Sequence, residues 1–408
     1  MHSSTTPSNS PAHVLGDAPR AIAQGAEDTG GAGGVIKKVR EKKHTPRRIV
    51  SAEGGEGIVA LSRAEYREKV TSKNRFVGPK AWPLIAKRLY FEFFFRALMD
   101  RGAVLSFFTL LTAIPTLTAF YSITTLVLDQ NRKQVTDLTD QFIDENVPET
   151  FADNARTIVD VIIGSTQQSV VTLTVSVIIA LFSSSAYVRA FSRSANGLYG
   201  RREGRNIVRT WLAMWGLTFL LVLGLVLVAV AFFFRGDLLT PLFDRFAEPL
   251  HLKWLERFIV QDFLPIWGYL RWPVIAILST FLIAALYHVA PNVSYGRFRW
   301  LTVGSVFAFV GIILVALVVK LYLNGFMHFG MYGALGGLIA GFLGLIVANT
   351  LLLMGLKLDA EITRARELQA GLDSSEIIQA PPTSDESVDG FNRLQDSLRQ
   401  DARRFLEH

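Results

Sequence analysis

The sequence predicts an all-α, polytopic membrane protein with six transmembrane helices and with both the N- and C-termini in the cytoplasm. Of its 408 residues 50% are hydrophobic, and the mean hydropathy is +0.31. The apolar residues are gathered into long blocks instead of recurring periodically, and several blocks carry at most one charge. A helix that crosses roughly 30 Å of hydrocarbon needs about 20 predominantly apolar residues, and these blocks reach that length.

Six blocks are long enough, and the charges of the loops between them set their direction. The loop after the second block is rich in arginine, with Glu203 as its single acid, and the loop after the fourth carries Arg297 and Arg299 with no acid. Both loops are therefore predicted in the cytoplasm, whereas the acidic connection 129–168 is predicted outside. The six blocks are residues 102–128, 170–188, 211–234, 272–289, 301–323 and 334–356.

Composition divides the chain into four regions. Residues 1–75 are rich in Ser, Gly, Ala, Pro and charged residues, which predicts a disordered basic cytoplasmic tail. We expect no cleavable signal peptide, because the start of this tail lacks an apolar stretch. In residues 76–101 basic and aromatic side chains alternate at helical spacing, and this pattern predicts an interfacial amphipathic helix. Residues 102–366 hold the six-helix transmembrane domain. Residues 367–408 form a polar cytoplasmic tail in which a short amphipathic helix is expected.

The residue counts argue against several classes of function. The chain has no cysteine, which excludes disulfides and thiolate metal sites. Its 7 histidines are scattered without HxH or HExxH spacing, so we expect no metal, no cofactor and no enzyme. The net charge of +7 is assigned to cytoplasmic loops and anionic lipids. Nucleic acid is not an expected partner, because no groove-reading motif accompanies the charge.

Polar residues at membrane depth are costly, so Lys320 and Asn349 are candidate substrate contacts within the bundle. Lys320 has an alternative interpretation, in which its long side chain reaches the membrane interface. Pro115 is expected to kink the first span because proline leaves a backbone carbonyl without its donor. Lys357 and Glu361 stand four residues apart and are interpreted as a salt-bridged, solvated helix end in preference to a proton relay.

The arginine-rich second cytoplasmic loop is the candidate head-group site. Guanidinium groups hold phosphate bidentately, and we assign this role to Arg189, Arg193, Arg201 and Arg202. Positive-inside topology alone is an alternative explanation for the same residues. Membrane lipids, mainly anionic ones, are therefore the expected partners.

Glycines recur every four residues at the start of the sixth span. Gly333, Gly337 and Gly341 present one smooth helix face, on which another backbone can approach closely. Close helix packing is the first interpretation, and a gating contact is the alternative. The same face leaves open the formation of a homo-oligomer.

Several stretches together resemble the YihY/BrkB family of bacterial inner-membrane proteins, once labelled ribonuclease BN and now regarded as envelope proteins. They are SFFTLLTAIP, RAFSRSANGLYG, LYHVAPNVSYGRFRW and MYGALGGLIAGFLGL leading to LLLMGLKLDAEI, and they cover roughly residues 86–366. The resemblance implies a multi-pass protein of the cytoplasmic membrane that contributes to envelope integrity. The chain departs from the family in GLKLDAE, where Lys357 and Asp359 replace an expected acid and asparagine.

Two functions follow as hypotheses. The first is a transporter or flippase-like protein that moves a lipid or another anionic amphiphile, using the four arginines together with Lys320 and Asn349. The second is a non-transporting membrane scaffold that recruits partners through its basic tail. A hydrolase is not favoured, because no nucleophile stands with a base and metal-dependent RNA hydrolysis needs clustered His and Asp ligands.

Overall fold

The computed structural model describes a helical bundle preceded by a small β-ribbon. It covers residues 47–50, 56–59, 62–72, 76–127, 140–141, 143–144, 152–153, 156–157, 170–233, 263–294, 301–326 and 331–407. Strands β1 (Arg47–Val50) and β2 (Glu56–Val59) pair antiparallel, with Arg47 opposite Val59. A short helix, α1 (Arg63–Tyr66), continues into a π-helical turn at Arg67–Ser72.

Six long helices correspond to the six apolar blocks of the sequence. In hydrocarbon a helix satisfies every backbone polar group within the segment, which is why such blocks fold as helices. After α2 (Trp82–Phe95), the long helices are α3 (Leu98–Val127), α4 (Val170–Leu198), α5 (Ile207–Phe233), α6 (Leu264–Val289), α7 (Val303–Phe326) and α8 (Met331–Gln369).

Each long helix packs against the next one along the chain, and α8 packs back against α2, α3 and α4. By length and composition, four helices of the described part can cross a membrane: Ile207–Phe232, Leu264–Val289, Val303–Asn324 and Gly336–Gln369. These four match the predicted third to sixth spans. The first two predicted spans lie in α3 and α4, which are 30 and 29 residues long, and they stay predictions. The chain is a multi-pass membrane protein.

Glycine does allow a close helix contact, but at a different place from the one predicted. A Cβ on Gly355 of α8 would lie 2.4 Å from the carbonyl oxygen of Gly304 on α7, and a Cβ on Gly344 would lie 2.7 Å from Val319. At Gly341 a Cβ would meet nothing within 4 Å in the described chain, so packing along the predicted glycine face stays a prediction. Gly337 is buried in the same helix, and Gly333 falls among residues whose surroundings the structure does not describe.

A sharp bend separates α2 from the first long helix. Ala97 has a φ of 51°, a left-handed conformation that a residue with a Cβ adopts at a cost of roughly 1–2 kcal/mol. The bend redirects the chain, so that α2 leaves Trp82, Tyr90, Phe94 and Phe95 exposed. This arrangement is the one expected for an aromatic interfacial helix. Pro115 lies within α3, among residues whose side chains the structure does not describe. The kink predicted there stays a prediction.

The two tails are more ordered than their composition predicts. Residues 62–72 belong to the predicted disordered tail, yet Tyr66 and Val70 are buried in the main hydrophobic core. After α8, residues 371–387 fold back over the bundle with Ile378 and Ala380 fully buried, and we name this segment the strap. The chain ends in α9 (Val388–Leu406), in agreement with the expected terminal helix.

Candidate functional site

Two arginines one helical turn apart form the arginine pair, Arg189 and Arg193, near the end of α4. The guanidinium of Arg189 lies 5.1 Å from the ring centroid of Trp211 and donates to Ser185 Oγ at 2.5 Å. Arg193 is exposed, and the two like charges repel each other. Arg193 precedes the end of α4 by five residues, or roughly 8 Å, and lies beyond the predicted span 170–188. An anion between the guanidinium groups would relieve the repulsion.

The structure corrects the assignment of Arg201 and Arg202 to the same site. Arg201 is 2% exposed, and its Nη2 donates to the carbonyl oxygens of Ile378 at 2.5 Å and of Ala380 at 2.7 Å. Its guanidinium therefore holds the strap and does not face the lipid head groups. Arg202 is half-buried, with its guanidinium 4.0 Å from the ring centroid of Phe391 in α9.

An asparagine network ties the strap to the ends of α4 and α6. The backbone N–H of Asn292 donates to Asn196 Oδ1 at 2.6 Å, and its side-chain amide both donates to the carbonyl and accepts from the N–H of Ser384. Arg205 donates to the carbonyl oxygens of Val289 and Pro291 at 3.0 and 2.8 Å. Asn196 and Asn292 belong to the stretches that carry the family resemblance. Neither their positions nor the resemblance indicated that they form this network.

Asn349 lies in a polar cluster between three helices, within the interior of the bundle. It accepts from Tyr187 Oη at 3.0 Å and donates to Ser106 Oγ at 3.1 Å and to the carbonyl of Leu345 at 3.0 Å. These bonds join α3, α4 and α8, so the amide has a packing role. Lys320 is exposed on α7, 17 residues beyond Val303 and therefore roughly 26 Å along the helix, at the end of the bundle opposite the strap.

The buried charge cluster has Glu92, Lys357, Glu361 and Arg364 at its buried centre, and half-buried Arg88 and Arg101 at its edge. Glu361 is 1% exposed, and its two oxygens lie 3.0 Å from Lys357 Nζ and 3.0 Å from Arg364 Nε. Lys357 also lies 3.0 Å from Glu92 of α2. The interpretation of Lys357 and Glu361 as a solvated helix end is wrong, because α2 and the strap cover them. Four cations share two carboxylates here, with the remaining bonds going to strap carbonyls at Ser374 and Ser375.

The N-terminal segment and the strap meet at Glu367. Its carboxylate accepts from Tyr66 Oη at 2.7 Å, from Ser374 Oγ at 2.5 Å and from the N–H of Gln379 at 2.8 Å. Burial, and then the neighbouring Glu367, raises the pKa of the Tyr66 hydroxyl well above its ordinary value, so this hydroxyl remains a proton donor to the carboxylate. These contacts close one end of the bundle, which we name the strap end.

Taken together, the geometry separates residues that hold the fold from residues that face outward at the strap end. Arg201, Arg205, Asn349 and the buried charge cluster are bonded within the protein, whereas Arg193 points outward beside half-buried Arg189. Among the described residues, no group of three or more His, Asp or Glu side chains is placed to hold a metal ion. The arrangement can bind an anion at the outer surface of the bundle.

Comparison with known proteins agrees with this architecture. A relative from Bacillus subtilis (strain 168), YfkH, whose name describes it as ribonuclease-like, is 28% identical over 197 residues, which are 48% of this chain and 67% of that protein. No solved structure matches the chain. The family model described as Virulence factor BrkB matches residues 90–376, from within α2 through all six long helices into the strap. The chain therefore belongs to the BrkB virulence factor family.

Proposed function

We propose that this protein is a cytoplasmic-membrane protein with six spans and cytoplasmic termini, and that it binds and moves a lipid or another anionic amphiphile. The strap end faces the cytoplasm in this proposal, because the arginine-rich loop and the terminal regions lie there. Envelope integrity is the cellular role that such an activity would serve. The head group is recognised by the arginine pair, with Arg193 as its accessible member.

The observation that supports the proposal is the placement of two like-charged guanidinium groups one helical turn apart, just beyond the predicted second span. Arg189 is held by Ser185 and Trp211, one helical turn before Arg193 on α4. Like charges one turn apart destabilise a helix unless a counter-charge is present. A phosphate supplies that counter-charge and accepts two parallel N–H hydrogen bonds from one guanidinium group. A loss of packing is not expected when Arg193 is changed, because its side chain is exposed.

Replacement of Arg193 by glutamine is expected to weaken the binding of an anionic phospholipid about fivefold, since one basic residue near an anionic surface contributes about 1 kcal/mol. Native mass spectrometry of the purified protein with phosphatidylglycerol measures the retained lipid. Arg193→Lys keeps the positive charge but loses the bidentate guanidinium group. The amount of phosphatidylglycerol that it retains should lie between those of the native protein and Arg193→Gln.

The matched control is Lys320→Gln, which removes one exposed charge at the opposite end of the bundle. It should retain as much phosphatidylglycerol as the native protein. Equal losses in Lys320→Gln and Arg193→Gln would mean that net charge alone attracts the lipid and would remove the arginine pair as a site.

The scaffold hypothesis depends on residues 1–75, most of which lie outside the described residues, so no structural observation favours it. The ribonuclease-like name of the relative suggests RNA hydrolysis. We propose that this chain is not an enzyme, because the Ser374 hydroxyl that donates to the Glu367 carboxylate is fully buried, as is that carboxylate, and neither is placed to meet a substrate. Incubation of the purified protein with labelled RNA tests this proposal, and cleavage above that of a mock purification would overturn it.

A further inference from the structure

The terminal helix α9 presents a stripe of large apolar side chains to its surroundings. Phe391, Leu394, Leu398 and Phe405 follow one another at steps of three, four and seven residues, which places them on one face of the helix. Leu398 is 60% exposed and Phe405 is 84% exposed. Gln400 lies on the opposite face. An apolar stripe of this length on a water-exposed helix is typical of a surface that meets another apolar phase.

The start of α9 is fixed beside the start of the α5 span. The N–H of Ser387 donates to the carbonyl of Gly204 at 3.0 Å, and Glu386 forms an ion pair with Arg209 in the first turn of α5. Arg202 stacks on Phe391 from the same loop. The first turn of α9 therefore lies beside the first turn of α5.

Apolar side chains are also exposed at the beginning of α5. Ile207, Val208 and Leu212 have exposed fractions of 75, 72 and 74%. They belong to Ile207–Phe232, a helix that is long and apolar enough to cross a membrane. Because Glu386 and Ser387 hold the start of α9 beside this turn, lipid that surrounds the start of α5 also adjoins the first turn of α9.

We propose that α9 lies along the membrane surface at the strap end, with its apolar face inserted into the lipid of the same membrane. Such helices insert their apolar side roughly 5–10 Å deep, at the boundary between head groups and acyl chains. The charges of α9 nearly balance, so insertion is driven by apolar burial and needs no anionic lipid. They are Arg393, Arg399, Arg403 and Arg404 against Asp389, Asp396 and Asp401.

The chain contains no cysteine, which permits a direct test with single nitroxide labels on the full-length protein. Leu398→Cys places the label on the apolar face of α9, and Gln400→Cys places a matched label on the opposite face. The protein is reconstituted in vesicles of zwitterionic phosphatidylcholine. Relaxation by oxygen, which concentrates in lipid, is compared with relaxation by a water-soluble nickel chelate.

The expected result is a several-fold higher ratio of oxygen to nickel relaxation at position 398 than at position 400. Equal, water-like ratios at both positions would overturn the proposal. Dipolar broadening between labels at position 398 of neighbouring molecules would also overturn it, because a second copy would then cover the face. The outcome is independent of the arginine pair, since no anionic lipid is present and position 193 is unchanged.

Discussion

Replacement of Glu361 by glutamine is expected to lower the free energy of unfolding by about 3 to 5 kcal/mol, the usual cost of removing one partner from a buried ion pair. Glu361 is 1% exposed and pairs with both Lys357 and Arg364. Without its carboxylate, Lys357 keeps Glu92 as an ion-pair partner, and Arg364 keeps a hydrogen bond to the carbonyl of Ser374. Denaturation in detergent, followed by tryptophan fluorescence, measures the change.

The control for this prediction is Glu376→Gln, which neutralises an exposed carboxylate of the strap and should leave stability within about 0.5 kcal/mol. A double variant sharpens the test. Lys357→Met combined with Glu361→Met removes charge from both sides of the pair and should cost less than the sum of the two single changes. Additive losses would show that the two residues do not act as a pair.

Replacement of Gly355 by alanine is expected to destabilise the protein by about 3 kcal/mol, at the upper end of the cost of overpacking a well-packed contact. The added methyl would lie 2.4 Å from the carbonyl oxygen of Gly304 and 2.7 Å from Tyr287 Oη. A backbone oxygen cannot turn aside as a side chain does, so α7 and α8 must separate. Thermal unfolding in detergent measures the loss.

Gly341→Ala supplies a matched control in the same helix. No atom lies within 4 Å of the added Cβ, and alanine favours a helix over glycine by up to about 1 kcal/mol. Its stability should be unchanged or slightly higher. If Gly341→Ala were as damaging as Gly355→Ala, the loss of stability would not be specific to the close contact between Gly355 and Gly304.

The sequence predicted the six long helices because a hydrocarbon solvent leaves a long apolar block few alternatives to a helix. It did not predict where the helices cross. Gly341 and Gly355 look alike in sequence, and only the crossing of α7 and α8 decides which one meets a backbone. The partners of Arg201 could not be predicted either, because they are the backbone carbonyls of Ile378 and Ala380. Every residue has a backbone carbonyl, so the sequence does not show which ones accept the bonds.

The buried charge cluster shows a second limit of sequence reasoning. The spacing of Lys357 and Glu361 correctly indicates their salt bridge, but it says nothing about burial. Burial depends on Glu92 of α2 and on the strap, which come from distant parts of the chain. Of the six residues assigned to substrate, Arg189 and Arg193 remain together at the proposed site. Arg201 and Asn349 are bonded within the protein, Arg202 stacks on α9, and Lys320 lies at the far end of the bundle.

Dithionite quenching of a fluorescent anionic phospholipid in proteoliposomes tests the proposed lipid movement most directly. Native protein, Arg193→Gln, Lys320→Gln and protein-free vesicles are compared. Quenching beyond the outer-leaflet fraction is expected for native protein and Lys320→Gln, and a clearly slower second phase is expected for Arg193→Gln. Traces for native protein that match protein-free vesicles would contradict lipid movement, and equal rates in Arg193→Gln and native protein would contradict the role of the arginine pair.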